Sequence, residues 1–264
     1  MSLKIEGAWK SFVHDGTAQS VLRNVDLTVE PGQFVSLIGH SGCGKSTLVR
    51  ALGGLLELDA GQISLDGKPI TGPGPDRAMV FQHYSLLPRL SLVDNVRAAV
   101  RSARPDKGKA AADEAAERYL TAVGLWDAKD KRPHQVSGGM QQRAAVARAF
   151  AVEPRVLLAD EPFGALDALT RARLQSQLIE LWTSESDTEI VVMVTHGIDE
   201  AILLSDRIVV VGNPPGPSIV DMIPVELARP RDRVSVIDDP HYRDVQERLL
   251  HLLTADRLDD EEAA

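Results

Sequence analysis

The sequence predicts an α/β fold: a core with a mixed, mostly parallel sheet and flanking helices, an N-terminal antiparallel β layer, and an inserted α-helical subdomain. Short apolar runs separated by helical patterns favour parallel strands in the core. Near the N-terminus, three segments alternate apolar and polar residues, which is typical of antiparallel strands. Residues 87–140 are rich in Ala, Arg and Glu and contain no convincing strand.

Each element follows from the pattern of its own segment. The alternating segments predict antiparallel strands at 3–12, 21–30 and 62–65. Apolar runs predict buried strands at 33–38, 78–81, 156–159, 190–195 and 207–211. Helices are predicted at 48–56, in the run up to Ala151, after Asp167 and at 242–253, and the sequence NPPGP at 213–217 predicts a turn. Apolar stripes mark two of these helices: Leu174, Leu178, Leu181 and Trp182 in one, and Val245, Leu249 and Leu252 in the other.

The chain of 264 residues is predicted to form a single domain, 1–264. Residues 1–86 and 141–230 are assigned to the α/β core and 87–140 to the helical subdomain. Residues 231–264 are assigned to a C-terminal helix with an acidic tail, whose residues 259–262 are expected to be solvated and disordered. No internal repeat is visible.

Composition excludes several classes of protein. Hydrophobic residues make up 44% and charged residues 25%, as in ordinary globular proteins. The net charge of −9 argues against a nucleic-acid surface, which needs clustered Lys and Arg. The single cysteine, Cys43, excludes a disulfide framework. The sequence has no apolar run of about 18 residues and no apolar signal core, so a cytoplasmic location is expected.

A glycine-rich phosphate loop provides the strongest indication of function. Residues 39–47 read GHSGCGKST and match the pattern G-x-x-x-x-G-K-[ST] between a predicted strand and a predicted helix. Glycines let the backbone N–H groups point at phosphate oxygens, and the helix N-terminus adds partial positive charge. The residues expected to contact the nucleotide are Gly39, His40, Ser41, Gly42, Cys43, Gly44, Lys45, Ser46 and Thr47. The sequence therefore predicts binding of a nucleoside triphosphate.

Two adjacent carboxylates follow a second apolar strand. Residues 155–162 read RVLLADEP, so Asp160 and Glu161 come directly after four apolar residues. At this position Asp160 can hold Mg²⁺, while Glu161 can orient or deprotonate the water that attacks the terminal phosphate. The alternative, a solvated turn, is disfavoured by the preceding strand and the upstream phosphate loop.

With these motifs in this order, the chain resembles the ATP-binding-cassette (ABC) family of ATPases. Beyond the phosphate loop (Walker A) and the strand ending in carboxylates (Walker B), the resemblance extends to Gln82, which matches the glutamine that senses the γ-phosphate. His196 matches the switch histidine, and Phe12 matches the aromatic residue that stacks on adenine, with nearby Trp9 as the alternative. Further matches are the signature loop, Ser137, Gly138, Gly139 and Met140, and Asp167 in the loop at the dimer interface.

The resemblance implies cofactors and partners. ATP and Mg²⁺ are expected, the metal ion being held by Ser46, Gln82 and Asp160. A second copy of the chain, or a homologous ATPase subunit, is expected to form a head-to-tail dimer in which the signature loop contacts ATP on the opposite subunit. Integral-membrane permease subunits and, indirectly, a solute-binding protein complete the complex, with no nucleic acid. The subunit would then be peripheral, on the cytoplasmic face of the plasma membrane.

The sequence departs from the family pattern at three positions. Val136 stands where the signature usually has leucine, and Met140 where it often has glutamine. Gly197 follows the switch histidine, where Asp is common and can cap the next helix. Because Ser137 and Gly138 are retained, the first two changes are expected to have modest effects.

Several stretches are similar to the nitrate, sulfonate and taurine importers of this family. These are residues 71–77, 81–88 and 230–233, and the histidine of the phosphate loop leans toward the nitrate/nitrite branch. The alternative is the same role in a sulfonate or taurine importer; a non-transport ABC ATPase of DNA repair or translation is more remote. Tyr84, Leu86 and Leu87 are expected either to dock a permease helix or to belong to the core of the helical insert.

Overall fold

The computed structural model of the chain describes residues 2–14, 16–214 and 216–262. Its strands are β1 (Leu3–His14), β2 (Thr17–Val29), β3 (Phe34–Ile38), β4 (Ala60–Leu65), β5 (Lys68–Pro69), β6 (Arg77–Val80), β7 (Val156–Asp160), β8 (Ile190–Val194), β9 (Arg207–Val211) and β10 (Ile219–Pro224). Its helices are α1 (Lys45–Leu52), α2 (Leu92–Ala103), α3 (Gly108–Ala122), α4 (Gly138–Ala151), α5 (Ala168–Glu180), α6 (Ile198–Leu204) and α7 (Pro240–Glu262). Short 3₁₀ turns and a π-helical turn after α5, at Leu181–Glu185, connect some of them.

The chain forms two compact units, and the first consists of Met1–Pro73 and Ile190–Ala264. It contains the predicted antiparallel layer, with strand order β2-β1-β4-β5. Strands β1 and β2 pair along most of their length, interrupted by register shifts near Gly7. Gly7 supplies the positive φ of 57° that such an irregularity requires.

The first unit also contains parallel strands, in the order β10-β9-β3-β8. Strand β3 runs parallel to both β8 and β9, while β10 closes the edge antiparallel to β9. Every residue of β3 and β8 is buried, which explains why both segments are continuous apolar runs rather than alternating ones. Together with the antiparallel layer, these strands confirm the predicted fold class.

Helix α1 differs from its prediction, 48–56, at both ends. It begins at Lys45, inside the phosphate loop, because Gly44 adopts φ 102° and serves as its N-cap. It ends at Leu52 because Gly54, at φ 69°, donates to the Ala51 carbonyl and turns the chain out of the helix. An apolar stripe does not reveal these boundaries, since both are set by glycines.

Helix α7 extends beyond its predicted range, 242–253, at both ends. Tyr242, Val245 and Leu249 are buried in a core cluster with residues of α6 and β9, so the predicted stripe is confirmed for Val245 and Leu249, while Leu252 is partly buried. The backbone of the acidic stretch 259–262, expected to be disordered, belongs to α7. The prediction ended at 253 because the apolar stripe of the helix ends there. Polar residues can continue a helix beyond its apolar stripe.

The second unit is Gly74–Glu189. Strands β6 and β7 pair in parallel, with Val80 opposite Ala159. Helices α2, α3 and α4 pack on one another, and no strand lies in the described backbone of 87–140, as predicted. The predicted stripe after Asp167 is also confirmed, since all four of its residues are buried. The division into a core and the helical subdomain 87–140 stays a prediction.

Within the described parts of the chain, no helix combines the length and the apolar composition that a membrane span requires.

Candidate functional site

The first unit presents the phosphate loop at the carboxyl end of β3. Gly42 and Gly44 adopt φ 87° and 102°, which curl the backbone before α1 begins. Gly44 leaves no room for a side chain, because a Cβ there would lie 2.9 Å from Cγ1 of Val21. Glycine is therefore required here by both conformation and space. The loop leads directly into the N-terminus of α1, where backbone N–H groups and the helix dipole favour an anion.

Lys45 lies beneath this loop and is only 4% exposed. Its ammonium group donates to the carbonyl oxygens of Gly39 at 2.8 Å and His40 at 2.6 Å, and lies 3.5 Å from the sulfur of Cys43. The buried ammonium keeps its positive charge because carbonyl oxygens accept its hydrogen bonds. It can therefore attract an anion that binds in the loop. Cys43 is fully buried, which fits a small residue that fills the loop interior.

A Cβ at Gly39 would lie 2.1 Å from the carbonyl oxygen of Val211 and 2.9 Å from the sulfur of Cys43. We expect Gly39→Ala to lower the free energy of unfolding by about 1–3 kcal/mol, because the loop must move away from β9. Chemical denaturation of the purified chain measures this. Gly72→Ala is the control, since a Cβ there meets no atom within 4 Å. Equal stability of the two variants would contradict the predicted clash.

His196 follows β8, beside the phosphate loop's own strand. Phe34 of β3 pairs with Val191 of β8 and Leu37 with Val194, so the phosphate loop and His196 leave the sheet at the same edge. His196 is exposed there. Carboxyl ends of parallel strands are where ligands of such sheets bind.

Thr195 forms two hydrogen bonds at the start of α6, beside Gly197. The N-cap residue of α6 is Gly197, and it forms no side-chain cap. The hydroxyl of Thr195 accepts a hydrogen bond from the Gly197 N–H at 3.0 Å and bonds the carboxylate of Glu200. These two bonds tie the start of α6 to the end of β8, but they do not involve the first-turn N–H groups from which an aspartate at 197 would accept.

The second unit brings together Gln82 and Glu161. Gln82 follows β6 and Glu161 follows the paired strand β7, so the two residues extend from the same edge of this strand pair. The side-chain amide of Gln82 donates to Oε2 of Glu161 at 3.1 Å. The two predicted catalytic residues of this unit are therefore in direct contact.

The backbone of Glu161 is strained. Its φ of 48° lies in the left-handed region, which non-glycine residues seldom adopt. It follows directly after Asp160, the last residue of the fully buried strand β7. Such strain is characteristic of sites where a side chain must be held at one orientation. Asp160 itself is only 5% exposed.

The signature residues form the start of α4. Ser137 is the N-cap, and its hydroxyl accepts a hydrogen bond from the Met140 N–H at 3.3 Å. A Cβ at Gly138 would lie 2.8 Å from the Tyr84 hydroxyl, and one at Gly139 would lie 2.7 Å from Cγ2 of Thr170. The glycine pair thus lets two neighbouring segments approach the helix start closely.

Asp167 caps the neighbouring helix α5. Its carboxylate accepts a hydrogen bond from the Thr170 N–H at 3.0 Å. Hydrogen bonds from the Thr170 side chain and then its backbone lower the pKa of Asp167, so the carboxylate is charged at neutral pH. Thr170 packs against Gly139, and the predicted dimer loop is therefore adjacent to the signature loop.

Two polar residues of α4 have structural roles that the sequence analysis did not identify. Arg148 donates to the carbonyl oxygens of Ser85 at 2.5 Å and Tyr84 at 3.3 Å, which tie the segment after Gln82 to the signature helix. Burial lowers the pKa of its guanidinium. Gln142 is 1% exposed and donates to the Pro162 carbonyl, just after Glu161. The sequence feature that could have indicated these roles is a polar residue on the buried face of an alanine-rich helix.

Phe12 and Trp9 are both exposed on β1, at 43% and 41%. The ammonium of Lys10 lies 5.7 Å from the centre of the Phe12 ring. Either ring can offer a face to a base, and Phe12 stays the predicted stacking residue.

Comparison with known proteins agrees with these features. The model of the ABC transporter family matches residues 22–164. The nitrate import ATP-binding protein NrtD of Synechococcus elongatus is 46% identical over 232 residues, which cover 88% of this chain and 84% of NrtD. The bicarbonate transport ATP-binding protein CmpD of Synechocystis is 45% identical over 251 residues, covering 95% of this chain and 88% of CmpD.

A third relative is much longer. The nitrate import ATP-binding protein NrtC of Synechococcus elongatus is 48% identical over 236 residues, which cover 89% of this chain but only 36% of NrtC. Among solved structures, the dimeric post-hydrolysis state of the ATP-binding cassette MJ0796 bound to ADP and phosphate matches with a TM-score of 0.75. That match has 29% identity and covers 86% of this chain and all of the other.

Proposed function

Since the chain belongs to the ABC transporter family, we propose that it is the ATP-hydrolysing subunit of an importer for a small inorganic anion. The observation that carries this proposal is the phosphate loop, in which a buried Lys45 bonds the loop's own carbonyl groups. A steady-state assay of phosphate release by the purified full chain tests the activity. Absence of ATP-dependent phosphate release, alone and with permease subunits, would overturn it.

In this proposal Lys45 and the loop bind the triphosphate. The ammonium of Lys45 has three N–H donors and can turn them from the Gly39 and His40 carbonyls toward the β- and γ-phosphate oxygens. Because the group is buried, its interaction with phosphate is weakly screened. The backbone N–H groups at the start of α1 add donors that need no reorganisation.

Glu161 is proposed to orient the attacking water and accept its proton. A general base must be held at one position, and the bond from Gln82 fixes one carboxylate oxygen. Gln82 is also a candidate sensor of the γ-phosphate. Because its amide bonds Glu161, a movement of Gln82 would change the position of the Glu161 carboxylate. His196 is proposed to donate a hydrogen bond to the γ-phosphate from the edge of β8.

The donor set is suited to Mg²⁺, which prefers hard oxygen ligands. Ser46, in the first turn of α1, offers a hydroxyl, Gln82 an amide oxygen and Asp160 a carboxylate. These residues would hold the ion, whose chemistry is to neutralise charge on the phosphate oxygens.

We infer a head-to-tail dimer from the signature loop. Ser137 and the first N–H groups of α4 offer donors at a helix start, a typical anion site. One phosphate loop encloses one side of a triphosphate, so Ser137 of a second copy, or of a homologous subunit, can enclose the other side. The post-hydrolysis MJ0796 cassette is itself dimeric, which supports this arrangement.

Coupling to a permease is proposed to occur beside Gln82. Leu87 is 50% exposed, so its side chain is not core of the helical region. Its backbone is nevertheless well ordered, because Asn95 accepts from the Leu87 N–H at 2.7 Å and donates to the Leu87 carbonyl at 3.2 Å. An exposed apolar residue on an ordered backbone suits a short amphipathic helix of a membrane partner. The subunit would thereby act at the cytoplasmic face of the membrane.

We expect Leu87→Asp to leave the basal ATPase activity of the isolated chain within about twofold, because a charge is well tolerated at an exposed position. Solute-stimulated hydrolysis in the assembled transporter should be lost. Leu120→Asp is the contrasting variant: Leu120 is fully buried in α3, so that change should unfold the chain. Normal stimulation with Leu87→Asp would rule out docking at this position.

Nitrate, with nitrite, is the solute we propose. NrtC and NrtD are named for nitrate import, and they are 48% and 46% identical to this chain. Bicarbonate is the second candidate, since CmpD is 45% identical. Disruption of the gene in its source organism, followed by uptake of labelled nitrate, bicarbonate and taurine, distinguishes them. Loss of nitrate uptake alone is expected; loss of bicarbonate or taurine uptake instead would reassign the solute.

A further inference from the structure

Helix α7 is bonded to the phosphate loop through His40. The Nε2 of His40 donates to the backbone carbonyl of Leu253 at 2.6 Å, a contact between residues 213 positions apart. Both residues belong to the first unit. His40 was predicted to contact the nucleotide, whereas its ring bonds the C-terminal helix in the folded chain.

The same residue is bonded to Lys45. The carbonyl oxygen of His40 accepts from the Lys45 ammonium at 2.6 Å. His40 therefore bonds α7 with its ring and the phosphate-binding lysine with its backbone. A shift of α7 at Leu253 changes the position of a carbonyl that Lys45 must leave in order to reach a phosphate.

A second contact joins α7 to the helix after the switch histidine. The Tyr242 hydroxyl and the Gln246 amide both donate to Oδ1 of Asp199, at 2.8 and 2.9 Å. Asp199 lies in the first turn of α6, which begins two residues after His196. Burial and then Asp199 raise the pKa of Tyr242, so its hydroxyl keeps its proton and continues to donate.

Helix α7 is itself firmly held between these two contacts. Val245 and Leu249 are buried in the core cluster, and Arg248 bonds Asp221 of β10 at 2.6 Å. A helix fixed in this way can hold a loop in one conformation and reduce the entropy that the loop loses on binding a ligand.

We propose that α7 is a brace for the nucleotide-binding elements of the first unit, and that His40 is a positioning residue which raises ATP affinity by holding the phosphate loop against Leu253. The inference deepens the proposed function and rests on it. It assigns His40 an action through α7 rather than a side-chain contact with the nucleotide.

Two variants of similar size test the bond. His40→Gln keeps a donor of similar reach, while His40→Met fills similar space without a donor. We expect His40→Met to weaken ATP binding and raise the KM by about 3- to 10-fold, the effect of one lost hydrogen bond. The kcat at saturating ATP should stay within about twofold, and His40→Gln should bind ATP like the wild type.

A double-mutant cycle with α7 then separates the brace from a direct contact. Thr254→Pro removes a helical N–H and forces Leu253 out of helical geometry, which moves its carbonyl. If His40 acts through α7, the effects of His40→Met and Thr254→Pro on ATP affinity will not add. Arg243→Ala is the control on the same helix, since its bond to Asp238 is exposed.

Each result decides between the possibilities. Additive effects, or equal losses in His40→Gln and His40→Met, would overturn the brace. Wild-type affinity in His40→Met would overturn it as well, while leaving the proposed ATPase function intact. If the wild-type chain itself binds no ATP, the proposed function fails first.

Discussion

Glu161→Gln is expected to reduce steady-state ATP hydrolysis by about 100-fold or more while ATP binding persists. The substitution removes the general base but keeps the shape of the side chain. It leaves Lys45 and the phosphate loop unchanged, so affinity for ATP should change little. Phosphate release and equilibrium binding of a fluorescent ATP analogue, measured on the same preparation, give the two quantities. ATP held without hydrolysis should also favour the proposed dimer, which size-exclusion chromatography with ATP detects.

Glu153→Gln is a matched control for this change. Glu153 lies in the same unit, also adopts a positive φ, 52°, and its carboxylate bonds Lys107 rather than Gln82. Hydrolysis by Glu153→Gln should stay near the wild-type rate. Turnover of Glu161→Gln within a few-fold of wild type would remove Glu161 from the chemical step.

Lys45→Ala is expected to weaken ATP affinity by roughly 10- to 100-fold, the effect of losing a hydrogen bond from a charged group. Hydrolysis should fall with it, because the lysine is proposed to contact the phosphates in both the ground state and the transition state. The loop also loses its internal bonds to the Gly39 and His40 carbonyls. Isothermal titration with ATP measures the affinity directly.

Lys45→Met and Lys68→Ala complete this experiment. Methionine keeps most of the buried aliphatic chain, so a loss of affinity shared by both Lys45 variants is due to the charge rather than to a cavity. Lys68 is exposed on β5, and its removal should leave ATP affinity unchanged. Wild-type affinity in Lys45→Met would mean that the ammonium does not contact the nucleotide.

Local sequence was sufficient to predict the phosphate loop. Gly42 and Gly44 adopt the left-handed conformations that glycine favours. Ser137 and Asp167 cap α4 and α5, and both are residue types that are common at this position. The buried strands were equally predictable, because continuous apolar runs such as β3 and β8 indicate cover on both faces. These features depend on neighbours within a few residues, so no tertiary information is needed to find them.

Which side chains meet could be learned only from the folded chain. Gln82 and Glu161 are 79 positions apart, and Arg148 reaches the Tyr84 and Ser85 carbonyls over similar separations. The ring of His40 bonds the Leu253 carbonyl, and no pattern within the phosphate loop indicates this contact. Residue type shows that a polar group needs a partner, but the partner is chosen by the packing of strands and helices distant in sequence. The amino-acid sequence thus determines which functional groups this protein has, and the packing of its strands and helices determines which of those groups bond one another.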